Sequence, residues 1–290
     1  KVAKIQSAGG GIIEFVPGIN YMDSTVYYWR VSLVPAAGGE YRWNNSSFIY
    51  ISGTSDGFNQ SHYYQHEKSS LVRISLDSVN RIWKYGTRVN NVFMRNAVFP
   101  TAGTQANDFS VTVNGNTDIN SSCGVSNIIF HVFDPITFKP WLNAPSGPGQ
   151  FGSDNVCGSS RKYNFQYNIL DTAKIRSLVN FLDLVPDGYY VVVRNTSGDN
   201  PLSNTYAANW MGDTSYLGTN NSMYHRLLQQ GFNTIDSFYR PRAFLFIYQK
   251  NRQSEFIPRY TFSEGINDRI NLVVDCFTPD TLGFITSPKF

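Results

Sequence analysis

Three runs of this chain are apolar at nearly every position: Ile128–Phe133, Tyr189–Val193 and Ala243–Tyr248. A strand with one face in water alternates apolar and polar residues, so a continuous run predicts a strand covered on both faces. Between these runs the period changes. Asp171 is a good N-cap, and Ile175, Leu178, Val179 and Leu182 follow at helical spacing until Pro186-Asp187-Gly188 stops the helix. A second helix is expected over about 219–230, with Met223, Leu227 and Leu228 on one face and Gly231 at its end. The middle of the chain therefore reads strand, loop, helix, strand, helix, strand, a mixed α/β arrangement.

The flanks carry only period-two patterns. Residues 26–33, 47–51, 71–76, 92–99 and 109–113 read as strands, and Asn114-Gly115 is a strong hairpin signal. Alternation returns at 269–274 and 282–285. The expected class is α+β and β-rich: a mixed α/β sandwich domain with two helices, between pieces of β-sandwich. The expected segments are 1–54 (β-sandwich), 55–255 (the α/β domain with a β-rich lead-in) and 256–290 (strands of a following or shared β-domain). An arrangement in which 1–52 and 256–290 share one sandwich around the middle domain is a further expectation.

Only 16% of the 290 residues are charged, with a net charge of +3, while 41% are hydrophobic and 15% aromatic. This is not the low-hydrophobicity, high-charge composition of a disordered chain. The apolar runs fall far short of the ~18 residues of a membrane span. The cations are scattered, without the basic patch of a nucleic-acid binder. About one residue in ten is Asn, and Lys and Glu are few, a pattern common among exported β-proteins. A bridge between Cys123 and Cys157, about 34 residues apart, would contribute about 3 kcal/mol through chain entropy and anchor the Gly/Ser/Pro/Asn loop 143–160. The alternative is three reduced thiols, with Cys276 buried in a strand-like run. The chain lacks an initiator Met and a signal peptide, and ends just after a strand pattern, so it is expected to be a piece of a longer protein.

Signals for catalysis are weak. His62 and His66 have the i, i+4 spacing of a zinc pair, but the position after His62 is Tyr63 where a metalloprotease needs Glu. A hydrogen-bonded loop or strand edge is the simpler reading. His131, inside an apolar run, is expected to be a satisfied core histidine. Cys123 follows Ser121-Ser122 in a candidate turn, and could act as a nucleophile only if it were unbridged. No G-x-S-x-G is present, and Gly9-Gly10-Gly11 lacks the strand–turn–helix context of a phosphate loop, so it reads as a linker. The acidic turns at Asp187, Asp199 and Asp213 lack EF-hand spacing, leaving a single structural Ca2+ in a loop as an alternative to the expected absence of cofactors. Trp141 and Trp210 sit in polar segments; exposed, they would suit sugar stacking, and buried, they would cap the core.

From about 125 to 251 an ordered set of motifs resembles the interleukin-like epithelial–mesenchymal transition inducer (ILEI) domain. It comprises Asn127–Asp134, the turn Pro135-Ile136-Thr137, the helix segment Leu178–Leu182, Val185–Val193, Leu227–Gly231 and Tyr239–Phe246, closing at Gln249-Lys250-Asn251. The chain departs from animal members in the polar insertion 194–215, in Pro241, and in Asn251 where Gly is usual. Gly57–His66 and Asn209–Thr214 are similar to a bacterial set, in which this domain lies downstream of a gingipain-like cysteine peptidase in proteins resembling type IX secretion sortases. Tyr27–Val31 resembles a late strand of a fibronectin type III-like domain, and Leu282–Pro288 the first strand of a following β-domain.

The resemblance implies secretion to a bacterial cell surface and no catalysis in this segment, the peptidase His–Cys pair lying upstream. It implies a non-catalytic module that binds a glycan or a protein, or a structural spacer packed on the upstream peptidase. The expected ligand site lies where the 194–215 loop meets Arg240 and Arg242, whose guanidinium groups can fork onto hydroxyls or carboxylates, with Asp199 and Trp210 near in sequence. The alternative is that Arg240 and Arg242 are ordinary strand residues with exposed tips.

Overall fold

The computed structural model describes residues 15–23, 25–50, 52–53, 70–77, 79, 82–119, 122–280 and 284–286. The Gly9–Gly11 linker, the 57–66 motif with His62 and His66, and the 282–288 motif except 284–286 lie outside these residues. The chain divides into two compact units: 1–86 with 282–290, and 87–281. These bounds differ from the three sequence segments, because a strand near residue 90 pairs with one near residue 275.

In the first unit, β1 (Thr25–Val31) and β2 (Asn44–Tyr50) form an antiparallel ribbon in which Tyr27 stands opposite Phe48. The two rings stack at 5.7 Å, and Tyr21 packs on both of them and on Tyr50. Residues 71–76, read as one strand, are two: β3 (Ser70–Val72) and β4 (Ile74–Asp77). Arg73 breaks them with φ 58°, and its carbonyl accepts the Gly86 N–H at 2.6 Å. β4 pairs with β5 (Ile82–Tyr85).

The second unit holds two antiparallel sheets. β6 (Thr87–Ala97), β7 (Val111–Val113) and β8 (Asn116–Ile119) belong to the first. β7 and β8 meet at Asn114-Gly115, where φ is 49° and 82°, the double positive turn that the dipeptide favours. β9 (Asn127–Phe133) opens the second sheet and pairs with β10 (Phe165–Asn168) beyond the 143–160 loop. α1 (Thr172–Leu184) leads to β11 (Tyr190–Thr196). The segment read as a long polar loop is helical in part, with α2 (Ala207–Trp210) and α3 (Thr214–Leu217) ahead of α4 (Met223–Gln229). β12 (Phe244–Gln249) and β13 (Arg259–Phe262) complete a sheet of order β10-β9-β11-β12-β13. β14 (Arg269–Pro279) returns to pair with β6 along eleven residues, giving β14-β6-β7-β8. β15 (Phe284–Thr286) pairs with β3 in the first unit.

The five-stranded sheet is buried on both faces, which explains the continuous apolar runs. Phe130, Val132, Val191, Val193, Phe244 and Phe246 face Leu178, Phe181, Leu182 and Leu227 of the helices. Their strand neighbours Phe133, Tyr190, Val192, Leu245 and Ile247 pack against Val92, Met94, Val274 and Cys276 of the four-stranded sheet. Each fully buried side chain of this size contributes about 1.5–3 kcal/mol. The unit is therefore α+β and sandwich-like, helices on one side and a second sheet on the other. All of its paired strands are antiparallel, because β10 turns the chain back before α1 and delivers β11 against β9 in the opposite sense.

α1 starts as its sequence predicts, with the Asp171 carboxylate accepting the N–H groups of Ala173 and Lys174. Its C-terminal end is closed from a distance: Lys250 Nζ donates to the carbonyls of Leu182, Asp183 and Val185. Burial lowers the pKa of Lys250, the carboxylates of Asp187 and Asp183 raise it, and the Arg226 charge lowers it further. Lys250→Met is expected to destabilise by about 1–2 kcal/mol, one charge-assisted capping interaction, read as a lower urea midpoint with unchanged slope. Asn251, where the resembled domain has Gly, adopts φ 54°, a conformation Asn tolerates, and its amide donates to Asp187 Oδ1 at 2.7 Å.

Candidate functional site

The disulfide is present: Cys123 and Cys157 are joined with their Cα atoms 5.7 Å apart. It ties the 143–160 loop to the segment entering β9, and it occupies the Cys123 sulfur. Cys276 is buried between the sheets, and desolvation first, then the Asp275 charge, pushes its thiol up to about 12. His131 has both ring nitrogens engaged. Nδ1 lies 3.1 Å from the Tyr163 carbonyl and must donate to it, so Nε2 accepts from Arg194 Nε at 3.1 Å. Burial, followed by the Arg194 charge, holds its pKa well below the usual value despite the Tyr163 bond, and the ring stays neutral. His225 sits against its own N-cap, with Nδ1 2.8 Å from Ser222 Oγ. Among the described residues, no three of His, Cys, Asp and Glu gather as a metal-binding set.

The four predicted ligand residues occupy different surroundings. Arg242 is buried: Nε donates to the Ser263 carbonyl at 2.5 Å, Nη1 to the Ser237 carbonyl at 3.0 Å, and the guanidinium lies 5.1 Å from the Phe262 ring centre. Arg240 is exposed and donates to the Glu264 carbonyl. Trp210 is buried against Phe238, and its indole nitrogen has no hydrogen-bond partner. Trp210 and Arg242 thus meet the same 235–238 turn from two directions. Asp199 belongs elsewhere: its N–H donates to the Phe99 carbonyl, where Phe99 and Gly198 form a parallel bridge. Trp141 is half-buried, its ring 5.5 Å from Tyr189.

The Phe99–Asp199 junction borders a cavity of about 210 Å3 at one end of the sandwich. Four distant segments build it: Phe99 after β6, Ala106 and Phe109 of a single-turn helix with Thr104 and Gln105 ahead of it, Ser122, Gly124 and Val125 before β9, and Thr196 at the end of β11. Phe99 and Val125 are over a third exposed at the rim, while Phe109 is buried. Thr196 is 5% exposed and its hydroxyl has no hydrogen-bond partner. A buried hydroxyl without a partner costs about 1–3 kcal/mol. The space exceeds the ~150 Å3 that holds one benzene, so a single six-membered sugar ring or a short side chain fits it.

Sequence reading missed Phe99, Phe109 and Thr196, because none carries a motif and the cavity joins segments up to about 100 residues apart. The disulfide was the available signal, since Cys123 lies between Ser122 and Gly124, which line one wall. A comparison with protein-family models finds no match for this chain, and none of the curated proteins matches it either.

Proposed function

We propose that this chain is a non-catalytic binding module of the ILEI type, part of a large secreted protein of a bacterial cell surface, with a glycan or protein ligand. The observation that carries the reading is the partly apolar cavity built from these four distant segments, with Phe99 and Val125 at its rim. Small-ligand sites have this character, an apolar lining with a few placed polar groups. Phe99 at the rim supplies a ring face for stacking, and Gln105 and Thr104 supply amide and hydroxyl groups. The commitment of His131, Cys123 and Cys276 to structural roles supports a role without catalysis. The test is ligand-observed NMR of the full chain with a panel of oligosaccharides and with candidate upstream domains. A retained sugar is expected to bind at least ten-fold more weakly to Phe99→Ala. Equal binding by wild type and that variant would remove the cavity as the site.

The spacer reading is favoured by one observation in the first unit. A two-stranded ribbon is marginal alone, yet Tyr28, Trp29, Val31 and Leu33 are half or more exposed on or beside β1, apart from Trp29 at 48%. Such a surface suits a contact with a neighbouring domain of the longer protein. A chain that binds an upstream peptidase domain and no glycan would select this reading.

A further inference from the structure

β14 is the long edge of the four-stranded sheet. It pairs with β6 along eleven residues without a shift of register, and no described strand pairs with its other side. Opposite residues in an antiparallel ladder either exchange both backbone bonds or turn both groups away. Asn91 and Arg95 of β6 use theirs on the β7 side: the Asn91 carbonyl accepts from Asn114 and the Arg95 N–H donates to Ser110, each at 2.9 Å. Their partners across the ladder, Asp275 and Asn271, therefore turn their own groups away from β6, and Val273 midway between them does the same.

Phe277 has the same phase. Its N–H donates to the Tyr190 hydroxyl at 3.1 Å, and its carbonyl accepts from that hydroxyl at 2.7 Å, so Tyr190 closes one end of the edge. The backbone groups of Asn271, Val273 and Asp275 have no partner among the described residues. Sheets that stay single blunt such an edge with a bulge, a Pro, a Lys or a very short strand. β14 has none of these between 271 and 275, and Val273 is 58% exposed there. The one charge in that stretch, Asp275, already accepts from Asn91 Nδ2 at 3.0 Å.

We propose that this edge pairs with a second copy of the chain, β14 against β14, antiparallel about a two-fold axis at Val273. The register is self-complementary, as a two-fold contact requires. Val273 faces its own counterpart, and Asn271 of each copy faces Asp275 of the other, so all three outward-turned residues are paired. Amide meets carboxylate, the same pairing that Asn91 and Asp275 make within the sheet, and no like charges stand opposite one another. Arg269 falls opposite Phe277. The four-stranded sheets of the two copies become one continuous sheet, a mode of association in which backbone bonds supply the contact. None of these residues lines the Phe99–Thr196 cavity, so the inference stands apart from the ligand-binding reading.

The test is analytical ultracentrifugation of the full chain over a dilution series. At the concentrated end the wild type is expected at about twice the 32.7 kDa of one chain. Val273→Lys and Val273→Asp each set like charges face to face on the axis, and each is expected to sediment as a single chain. An equimolar mixture of the two is expected to recover the doubled mass. Val273→Pro removes an N–H that β6 does not use, and should abolish the doubling by a separate route. Circular dichroism checks that each variant is folded. A wild type that stays single at every concentration would overturn the proposal. So would a doubled mass that survives Val273→Lys, or a mixture of the charged variants that stays dissociated.

Discussion

Asn195→Ala is expected to lower the unfolding free energy by about 4 kcal/mol, the summed cost of the two or three buried polar groups it would leave without partners. Asn195 lies where the β11–β12 ladder stops, at Arg194 opposite Leu245. Its side chain continues the pairing that the backbone gives up. Oδ1 accepts the Phe244 N–H at 2.9 Å, and Nδ2 donates to the Arg242 carbonyl at 2.7 Å. From the other sheet, Asn96 Nδ2 donates to Asn195 Oδ1, to the Asn195 carbonyl and to the Phe244 carbonyl, all within 3.0 Å. Asn96 Oδ1 accepts the Ala97 N–H at 2.9 Å. Both amides thus donate and accept, and both are almost inaccessible to water. Urea unfolding followed by tryptophan fluorescence checks the value, and a loss under 1 kcal/mol would show that β12 re-pairs without the amide. Asn96→Ala should cost a similar amount, and the double variant less than the sum, because the two residues share partners.

Cys157→Ser is expected to cost roughly 3 to 4 kcal/mol, the chain-entropy value for a closed loop of 34 residues. The loop contains β9, which lies between β10 and β11 in the helix-covered sheet and is buried along its whole length, so its closure constrains a strand of the core. Reductant should lower the urea midpoint of the wild type by the same amount and leave the variant unmoved. Cys123 stands between Ser122 and Gly124, which line the cavity, and its N–H donates to Gln166 Oε1 on β10. The ligand binding proposed for the cavity should therefore weaken with the bridge open, even at temperatures where the fold persists.

The central strands and α1 were legible because their signals are local: unbroken apolar runs, an N-cap, a Pro-Asp-Gly stop. The covering of β9, β11 and β12 on both faces followed from the same runs. β10 was not legible. Phe165–Asn168 has only four residues, two of them polar amides, and becomes a strand because β9 offers it an edge. The strand at Arg259–Phe262 was equally silent, and the division of the chain between its units depends on which distant strands pair. The site residues had the weakest signal. Arg242 is an attractive ligand residue on paper, yet its guanidinium is spent on the carbonyls of Ser237 and Ser263.

The pairing of β6 with β14 has a consequence for when this protein can fold. β6 begins at Thr87 and its long-edge partner ends at Pro279, so one sheet waits for residues emerging nearly 200 positions later. Contacts of such sequence separation slow folding, since the loop must close before any pairing rewards it. During synthesis Val92, Met94 and the inner faces of β11 and β12 stay uncovered until β14 is out of the ribosome. A chain crossing a membrane N-terminus first would meet the same delay on the far side. Truncation before Arg269 should consequently give an aggregation-prone product, with β6 a bare edge available to another copy.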